Sequence, residues 1–335
     1  MSLVSTNNVH FYGEYYMKHI FIVNPAAGAT DSCCDIIRSL DQGKLIDEND
    51  YLIHMTTRPG DATEFVARYC HEHRGDKLRF YACGGDGTLN EVASALVGRD
   101  NCSIACFSAG SGNDYVKYYG GKDVFSDMNA LIEGTEVSID AMSVNGRYAV
   151  NCTHFGFDTY VAEKMRSVRR KKIIGGKNAY TTGVVCGLVN AMKTNCKVYA
   201  DGELLNPKGN ILLCTVANGK YVGGSFMCAP RSDNNDGLLE VCLVHPVSRI
   251  TFLSLVKDYS EGSHLDNPKF EKYLEYRQAK SVIIEFENEY AVSLDGEIFS
   301  GKRFEVNILP SAIKFVLPKG CSLEETKDKE VAAAK

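Results

Sequence analysis

The stretch Arg79-Phe80-Tyr81-Ala82-Cys83-Gly84-Gly85-Asp86-Gly87-Thr88-Leu89-Asn90-Glu91 reads as a short apolar strand that ends in glycines and runs into a helix. A strand-to-helix turn of this kind is a phosphate site. Glycines let the backbone come close to a charged group, and the unpaired N–H groups of the new helix point at it. Asp86 falls where backbone donors converge, which suits a carboxylate reaching a metal or a phosphate-bound water. Thr88 is placed to cap the helix and to offer its hydroxyl to a phosphate oxygen. A plain glycine turn with a capping Asp has the same spelling, so the neighbouring turns decide between the two.

The first 140 residues alternate apolar strands with helical segments. His19–Val23 is a strand running into Asn24-Pro25-Ala26-Ala27-Gly28, after which Thr30 or Asp31 caps a helix. Tyr51–Met55 and Ile104–Phe107 are further strands, and Ala62, Phe65, Val66 and Tyr69 form a helical stripe between them. This alternation predicts a Rossmann-like α/β unit, a parallel sheet with helices on both faces. Ligands of such sheets bind beyond the carboxyl ends of the strands, and Gly28, Gly60, Gly84 to Gly87 and Gly110 to Gly112 all fall there. Asn24 to Gly28, Thr56 to Asp61, the Gly84 turn and Ser108-Ala109-Gly110-Ser111-Gly112-Asn113-Asp114 thus bring hydroxyl, amide and acid groups to one edge. Four such turns together make a nucleotide pocket.

From about Thr135 the periodicity changes. Val137–Val144, Tyr148–Thr153, Lys197–Ala200, Asn210–Ala217, Leu238–Val244, Ala279–Phe286 and Tyr290–Leu294 are short β-rich runs, interrupted by helices at Tyr180–Lys193 and Val247–Tyr259. They predict an antiparallel β-sandwich as a second domain. The expected division is 18–138 for the nucleotide-binding α/β domain, joined by a returning run at about 311–320, and 139–310 for the sandwich that takes the substrate. Residues 1–17 and 324–335 are expected to be flexible termini.

Composition narrows the function classes. With 335 residues, 44% hydrophobic and 24% charged, the chain has the balance of a soluble globular protein and length for two cores. No stretch approaches the roughly 20 apolar residues of a membrane span, and Met1–Met17 does not read as a signal peptide. The 13 cysteines lack zinc-like spacing and sit mostly in apolar strands, the pattern of buried thiols in a reducing cytoplasm. A net charge of −5 argues against general nucleic-acid binding.

Two further segments carry oxygen ligands. Leu294-Asp295-Gly296-Glu297 sets two carboxylates on one side of an extended chain, with a glycine between them. Asp233-Asn234-Asn235-Asp236-Gly237-Leu238 packs carboxylate, amide and carbonyl oxygens that suit a hard cation, although an Asx-rich hairpin loop looks the same. The basic run Arg166-Ser167-Val168-Arg169-Arg170-Lys171-Lys172 is either a solvated helix end or a contact with an anionic surface.

NPAAG at 24–28, GGDGTLNEV at 84–92, GSGND at 110–114 and LDGE at 294–297, in this order, resemble the diacylglycerol kinase catalytic-domain family, which includes soluble bacterial lipid kinases and the sphingosine and ceramide kinases. The likeness runs from about Lys18 to Pro318. It implies a two-domain kinase of NAD kinase-like layout with its active site in the cleft, using ATP and Mg2+. By this resemblance Asn24, Thr56, Gly84, Gly85, Asp86, Gly87, Thr88, Leu89, Asn90 and Ser111 match nucleotide-contacting positions, and Ser111 stands where relatives often have Thr. Asp86 belongs to the network that positions metal and phosphates. Glu297 is assigned as the base with Asp295 in support, and the reverse assignment stays open. Phosphoryl transfer asks little covalent help of the protein beyond an aligned hydroxyl, a proton acceptor and positive charge on the phosphates.

The resemblance also implies a structural magnesium held by the Asp236 carboxylate and the carbonyls of Asp233 and Leu238. The acceptor it favours is the primary hydroxyl of diacylglycerol, giving phosphatidic acid. The expected partner is a membrane lipid, reached by peripheral contact from the cytoplasm through Arg166–Lys172, with a homodimer as a further expectation and no nucleic acid. NAD kinase, which shares a GGDGT-type loop, and a catalytically silent lipid-binding protein on the same fold are the competing readings.

Overall fold

The computed structural model describes residues 17–27, 46–47, 49–110, 112–170, 176–224 and 226–323. Gly28, the cap at Thr30 or Asp31, Ser111, Lys171, Lys172 and both expected flexible ends from 1 to 16 and from 324 to 335 lie outside these residues.

Four parallel strands form the first half: β1 (Met17–Val23), β2 (Tyr51–Met55), β3 (Lys77–Gly84) and β4 (Cys102–Ser108). Helix α1 (Asp61–Glu72) joins β2 to β3, and helix α2 (Asp86–Leu96) joins β3 to β4. The order is β2-β1-β3-β4, with His19 opposite Tyr51, Phe21 opposite Tyr81 and Phe80 opposite Ile104. Ile20–Val23 and Leu78–Cys83 read as nearly unbroken apolar runs because a parallel strand covered on both faces has no solvent side. Since β1 pairs with β2 on one side and β3 on the other, the connections diverge there. The crevice beyond the ends of β1 and β3 is therefore the topological switch point, the place such sheets bind ligands.

The second half is antiparallel. It comprises β5 (Thr135–Val144), β6 (Arg147–Ala149), β7 (Cys152–Gly156), β8 (Lys197–Ala200), β9 (Leu213–Ala217), β10 (Leu239–Val244), β11 (Leu274–Ala279), β12 (Ser281–Leu294) and β13 (Glu297–Leu317). Helices α3 (Phe157–Arg170), α4 (Gly176–Asn190) and α5 (Arg249–Ser260) accompany it. Phe155, Phe286 and Phe304 centre one apolar layer. Phe157, Leu213, Cys242, Phe252 and Leu255 form a second layer where the helices meet the sheet. Each fully buried Leu or Phe in these layers contributes about 1.5 to 3 kcal/mol. Among the described residues no helix is long and apolar enough to cross a membrane.

Strands β5 and β13 belong to both halves. The last residues of β13 lie parallel to β4, Lys314 opposite Ser103 and Phe315 opposite Ile104, so the Ala312–Leu317 run does return to the first sheet. Between Leu309 and Ile313 the β5–β13 register shifts, and Ser311 takes a left-handed φ of 51°. Buried Asp140 holds this bulge: one carboxylate oxygen accepts from Ser311 N–H and the other from Gly237 N–H, both at 2.7 Å.

Three expectations change. Tyr148–Thr153 is two strands, β6 and β7, because the chain turns at Val150 and Asn151 to aim its N–H groups at Asp295. Ala279–Phe286 and Tyr290–Leu294 fall in or beside one strand, β12, whose pairing is irregular between Glu285 and Tyr290. Helix α3 was not anticipated, because a polar, basic segment hides its apolar side.

Removing a buried acceptor strands the donors it served. Asp140→Ala is expected to lower the unfolding free energy by about 2 to 4 kcal/mol, read from urea denaturation. An unchanged midpoint would mean the bulge is held by the strand ladder alone.

Candidate active site

The glycine turn has the predicted position and a different capping. Helix α2 starts at Asp86 with Gly85 as its extended N-cap (φ −106°, ψ −167°), and no side chain caps it. Thr88 lies inside the first turn, buried, where its Oγ1 accepts from Asn24 Nδ2 at 3.2 Å. The expectation that Thr88 caps the helix is therefore corrected: the helix begins at Asp86, three residues before a cap at Thr88 would let it start. Its hydroxyl instead ties the β1 turn to the β3 turn. A Cβ on Gly84 would stand 2.3 Å from this hydroxyl. A Cβ on Gly110 would stand 2.5 Å from Gly85 Cα, and Ala109 and Gly110 N–H both donate to Gly84 O. Two glycine loops thus touch backbone to backbone, which no side chain permits. The result is a floor of close-packed main chain under the free N–H groups of α2.

Asp86 sits on that floor. Its Oδ1 accepts from Asp114 N–H at 2.6 Å and Tyr115 N–H at 3.4 Å. Burial first, then the Asp114 charge, pushes its pKa up to about 6, with Asp295 adding to the rise and the two N–H donors opposing it. A Cβ on Gly112 would lie 2.8 Å from Asp86 Oδ2, so that oxygen faces the GSGND loop across a gap only glycine leaves open. Asp114 accepts from Lys117 Nζ at 2.5 Å and from Gly224 N–H at 3.0 Å, and Lys117 also donates to Gly224 O at 2.6 Å. A sandwich-side loop is thereby clamped to the fourth nucleotide turn.

Asp295 lies at the opposite wall with a left-handed φ of 45°. Its Oδ2 accepts from Asn90 Nδ2 at 3.0 Å, Val150 N–H at 3.0 Å and Asn151 N–H at 3.3 Å, and its Oδ1 accepts from Cys152 N–H at 2.8 Å. Burial raises its pKa against the pull of those bonds. Four donors occupy this carboxylate. Two residues on, the Glu297 side chain is 67% exposed and its Oε2 stands 3.4 Å from Arg166 Nη1 of α3. The first member of the basic run therefore points at the expected base.

The other predicted residues divide. Asn24 joins the floor, its Oδ1 accepting from Ala26 N–H, and Thr56 follows β2 at the same edge, its N–H on Val23 O. Gly87 is exposed at the start of α2. The Leu89 side chain is buried in the apolar core and its N–H is bonded to Gly85 O, so it offers the site no polar group. Asn90 spends its amide hydrogens on Asp295 and Tyr148 O. Ser111 is outside the described residues. In the loop at 233–238, Asp236 Oδ1 accepts from Leu238 N–H at 2.9 Å, an Asx turn, and burial raises the Asp236 pKa. Asp233 Oδ1 accepts from Asn235 N–H at 3.3 Å, and Asn234 Oδ1 is buried without a hydrogen-bond partner. One carboxylate, two carbonyls and an orphaned amide oxygen are hard donors of the kind Mg2+ takes. Among the described residues no three His, Cys, Asp or Glu side chains cluster as a metal site.

Sequence reasoning placed Asp114 at the pocket edge and read Arg166 only as part of the basic run, and it missed Lys117 and the Gly224 clamp. Asp114 had a local signal in GSGND. Arg166 and Gly224 reach the site only through tertiary packing. It also missed Glu91, which accepts from Gly60 and Ala62 N–H and so caps α1 from the neighbouring helix.

Comparison with known proteins gives consistent matches. Residues 18–144 match the diacylglycerol kinase catalytic domain, and residues 151–317 match the YegS C-terminal NAD kinase beta sandwich-like domain. The chain is 30% identical over 291 residues to the Escherichia coli O1:K1 protein named "Probable lipid kinase YegS", covering 83% of this chain and 91% of that one. A "Probable lipid kinase YegS-like" of Shewanella frigidimarina is 28% identical over 295 residues, covering 85% and 89%. Among solved structures, a diacylglycerol kinase from Bacillus anthracis strain Sterne superposes with a TM-score of 0.64 at 20% identity, covering 90% of this chain and 97% of that one.

Asp86 gives a pH signature. Its folded pKa of about 6 lies above the ordinary 3.8, so the folded state holds the proton more tightly. Its stabilising contribution is full below about pH 4 and is lost as pH rises through 6. Asp86→Asn is therefore expected to be more stable than wild type at pH 8, by about 1 to 3 kcal/mol, with the gap closing near pH 4. Thermal melts across that range check it. A gap independent of pH would remove the desolvated carboxylate from the account.

Proposed function

We propose that this chain, which belongs to the lipid kinase family built on the diacylglycerol kinase catalytic domain, transfers the γ-phosphate of Mg-ATP to the primary hydroxyl of a lipid, with diacylglycerol giving phosphatidic acid. The observation that carries the reading is the 3.0 Å bond from Asn90 to Asp295, which joins the nucleotide turn to the DGE turn across one cleft. The nucleotide phosphates lie over the N-terminus of α2, where N–H groups and helix dipole favour negative charge. Mg2+, when bound with the nucleotide, supplies positive charge on the phosphates. The Asp86 carboxylate, oriented by Asp114 and Tyr115 N–H, holds that ion or its water.

Glu297 takes the proton of the acceptor hydroxyl as its oxygen bonds to the γ-phosphorus and the bond to the β-phosphate oxygen breaks, releasing ADP. Arg166 holds Glu297 near the cleft and loosens its grip on it as the proton arrives. Asp295 fixes the turn that carries Glu297. The Asp233, Asp236 and Leu238 oxygens would hold a structural Mg2+, which would steady a loop already tied to Asp140.

Glu297→Gln is expected to lower kcat by roughly 100-fold or more, as for a displaced general base, with Mg-ATP affinity unchanged. Transfer of labelled γ-phosphate in mixed micelles to diacylglycerol, monoacylglycerol, sphingosine, ceramide and soluble NAD tests the whole reading. Label on a lipid, lost in Asp86→Asn, supports it. Label on NAD alone sinks it, as does nucleotide binding without transfer to any lipid.

Asp236→Ala is expected to melt lower than wild type and to lose any stabilisation by added Mg2+. A wild-type melting curve and Mg2+ response would end the structural-metal assignment.

A further inference from the structure

Helix α5 carries two apolar stripes. Phe252, Leu255 and Tyr259 face inward, as an amphipathic helix requires. Ile250 and Leu253, three residues apart and hence on one face, point outward and are 82% and 60% exposed. Helix α4 does the same with Val185 and Val189, 55% and 64% exposed and four residues apart. The two outward pairs are neighbours: Arg249, immediately before Ile250, donates from Nε to Leu188 O at 2.6 Å and from Nη2 to Val189 O at 3.2 Å. Single exposed aliphatics are ordinary on a soluble protein; four gathered on adjoining helix ends are not.

Charge and area indicate what covers them. Between residues 163 and 193 the sequence holds eight Lys or Arg (Lys164, Arg166, Arg169, Arg170, Lys171, Lys172, Lys177, Lys193) against one acid, Glu163, in a chain of net charge −5. Arg166 faces Glu297, and residues 171–175 are outside the described part. Basic side chains beside apolar ones are the combination that binds an anionic bilayer. Four partly exposed aliphatic side chains offer at most a few hundred Å2, well short of the roughly 800 Å2 per partner of a stable protein interface.

We propose that the outward face formed by Val185, Val189, Ile250 and Leu253 is the surface that seats this protein on an anionic lipid bilayer. It rests on the lipid-kinase reading, and it moves the membrane contact from the basic run to an apolar face on helices α4 and α5. Helices α4 and α5 lie over one apolar layer, so their outward faces can meet a single bilayer surface. The cations draw the protein to the surface and the aliphatics insert.

The test uses the full chain with vesicles of phosphatidylcholine, with and without phosphatidylglycerol. Wild type is expected to float with the anionic vesicles, less so at high salt. The double variants Ile250→Ser with Leu253→Ser, and Val185→Ser with Val189→Ser, are expected to bind roughly tenfold more weakly. Phosphorylation of diacylglycerol embedded in vesicles should fall in step, while the rate on dissolved dihexanoylglycerol stays at wild type. The proposal is overturned if the variants float like wild type, or if wild type does not float. It is equally overturned if light scattering shows a wild-type dimer that the variants lose with vesicle binding intact. A chain that floats yet phosphorylates no lipid would leave the surface standing and remove the kinase reading instead.

Discussion

A single buried carboxylate ties the nucleotide half to the sandwich half. Asp295 receives hydrogen bonds from Asn90 on α2 and from three consecutive N–H groups, Val150 to Cys152, at the entry to β7. Bonds to a charged acceptor are worth about twice a neutral one, and stranding them in a buried place costs far more than making them gains. Because the donors come from separate elements, Asp295 satisfies all of them only when the two halves stand in one relation. The position of Glu297, two residues on, follows from that relation.

The same cleft collects acids at close range. Burial first, then repulsion from Asp114 and Asp295, gives Asp86 a pKa of about 6. A surface chosen for stability would separate or neutralise them. Here only Asp114 has a cation in contact, Lys117. Desolvated like charges in a crevice at the carboxyl ends of parallel strands are the mark of a site that expects positive charge from its ligand. The clamp of Lys117 and Asp114 on Gly224 closes this arrangement from the sandwich side.

Much of this was legible in the sequence where the determinants are local. Glycines that must let two backbones meet, as Gly85 and Gly110 do, declare themselves by type, and apolar runs covered on both faces declare a parallel sheet. The Ala312–Leu317 return was visible as a run without a home in the sandwich. What was not legible depends on long-range register. Thr88 reads as a cap, but the helix already begins at Asp86, just past Gly85. Tyr148–Thr153 looked like one strand because nothing local shows that Val150 and Asn151 turn their N–H groups toward an acid 144 to 145 residues away. Asp295 and Glu297 read as a pair on one side of an extended chain, but Asp295 and Gly296 form a left-handed hairpin turn, with φ of 45° and 88°, that separates them. Their division into a saturated carboxylate and a reachable one came only with the donors around them.

Strands β5 and β13 make this division durable. Both pass through the two halves, and their ladder is interrupted only at the Pro310–Ser311 bulge, where Asp140 fixes the departure by bonding Ser311 and Gly237. A pair of continuous hydrogen-bonded strands resists hinging far better than a flexible linker. The cleft width is consequently a property of the sheet. Outside the ladder lie helices α3 to α5 and the loop at Gly223 and Gly224. Those same elements carry Arg166, the clamp on Asp114 and the exposed aliphatics. Continuous strands therefore fix the cleft joined by Asn90 and Asp295, and the helices outside the ladder bring Arg166 to Glu297 from beyond the sheet.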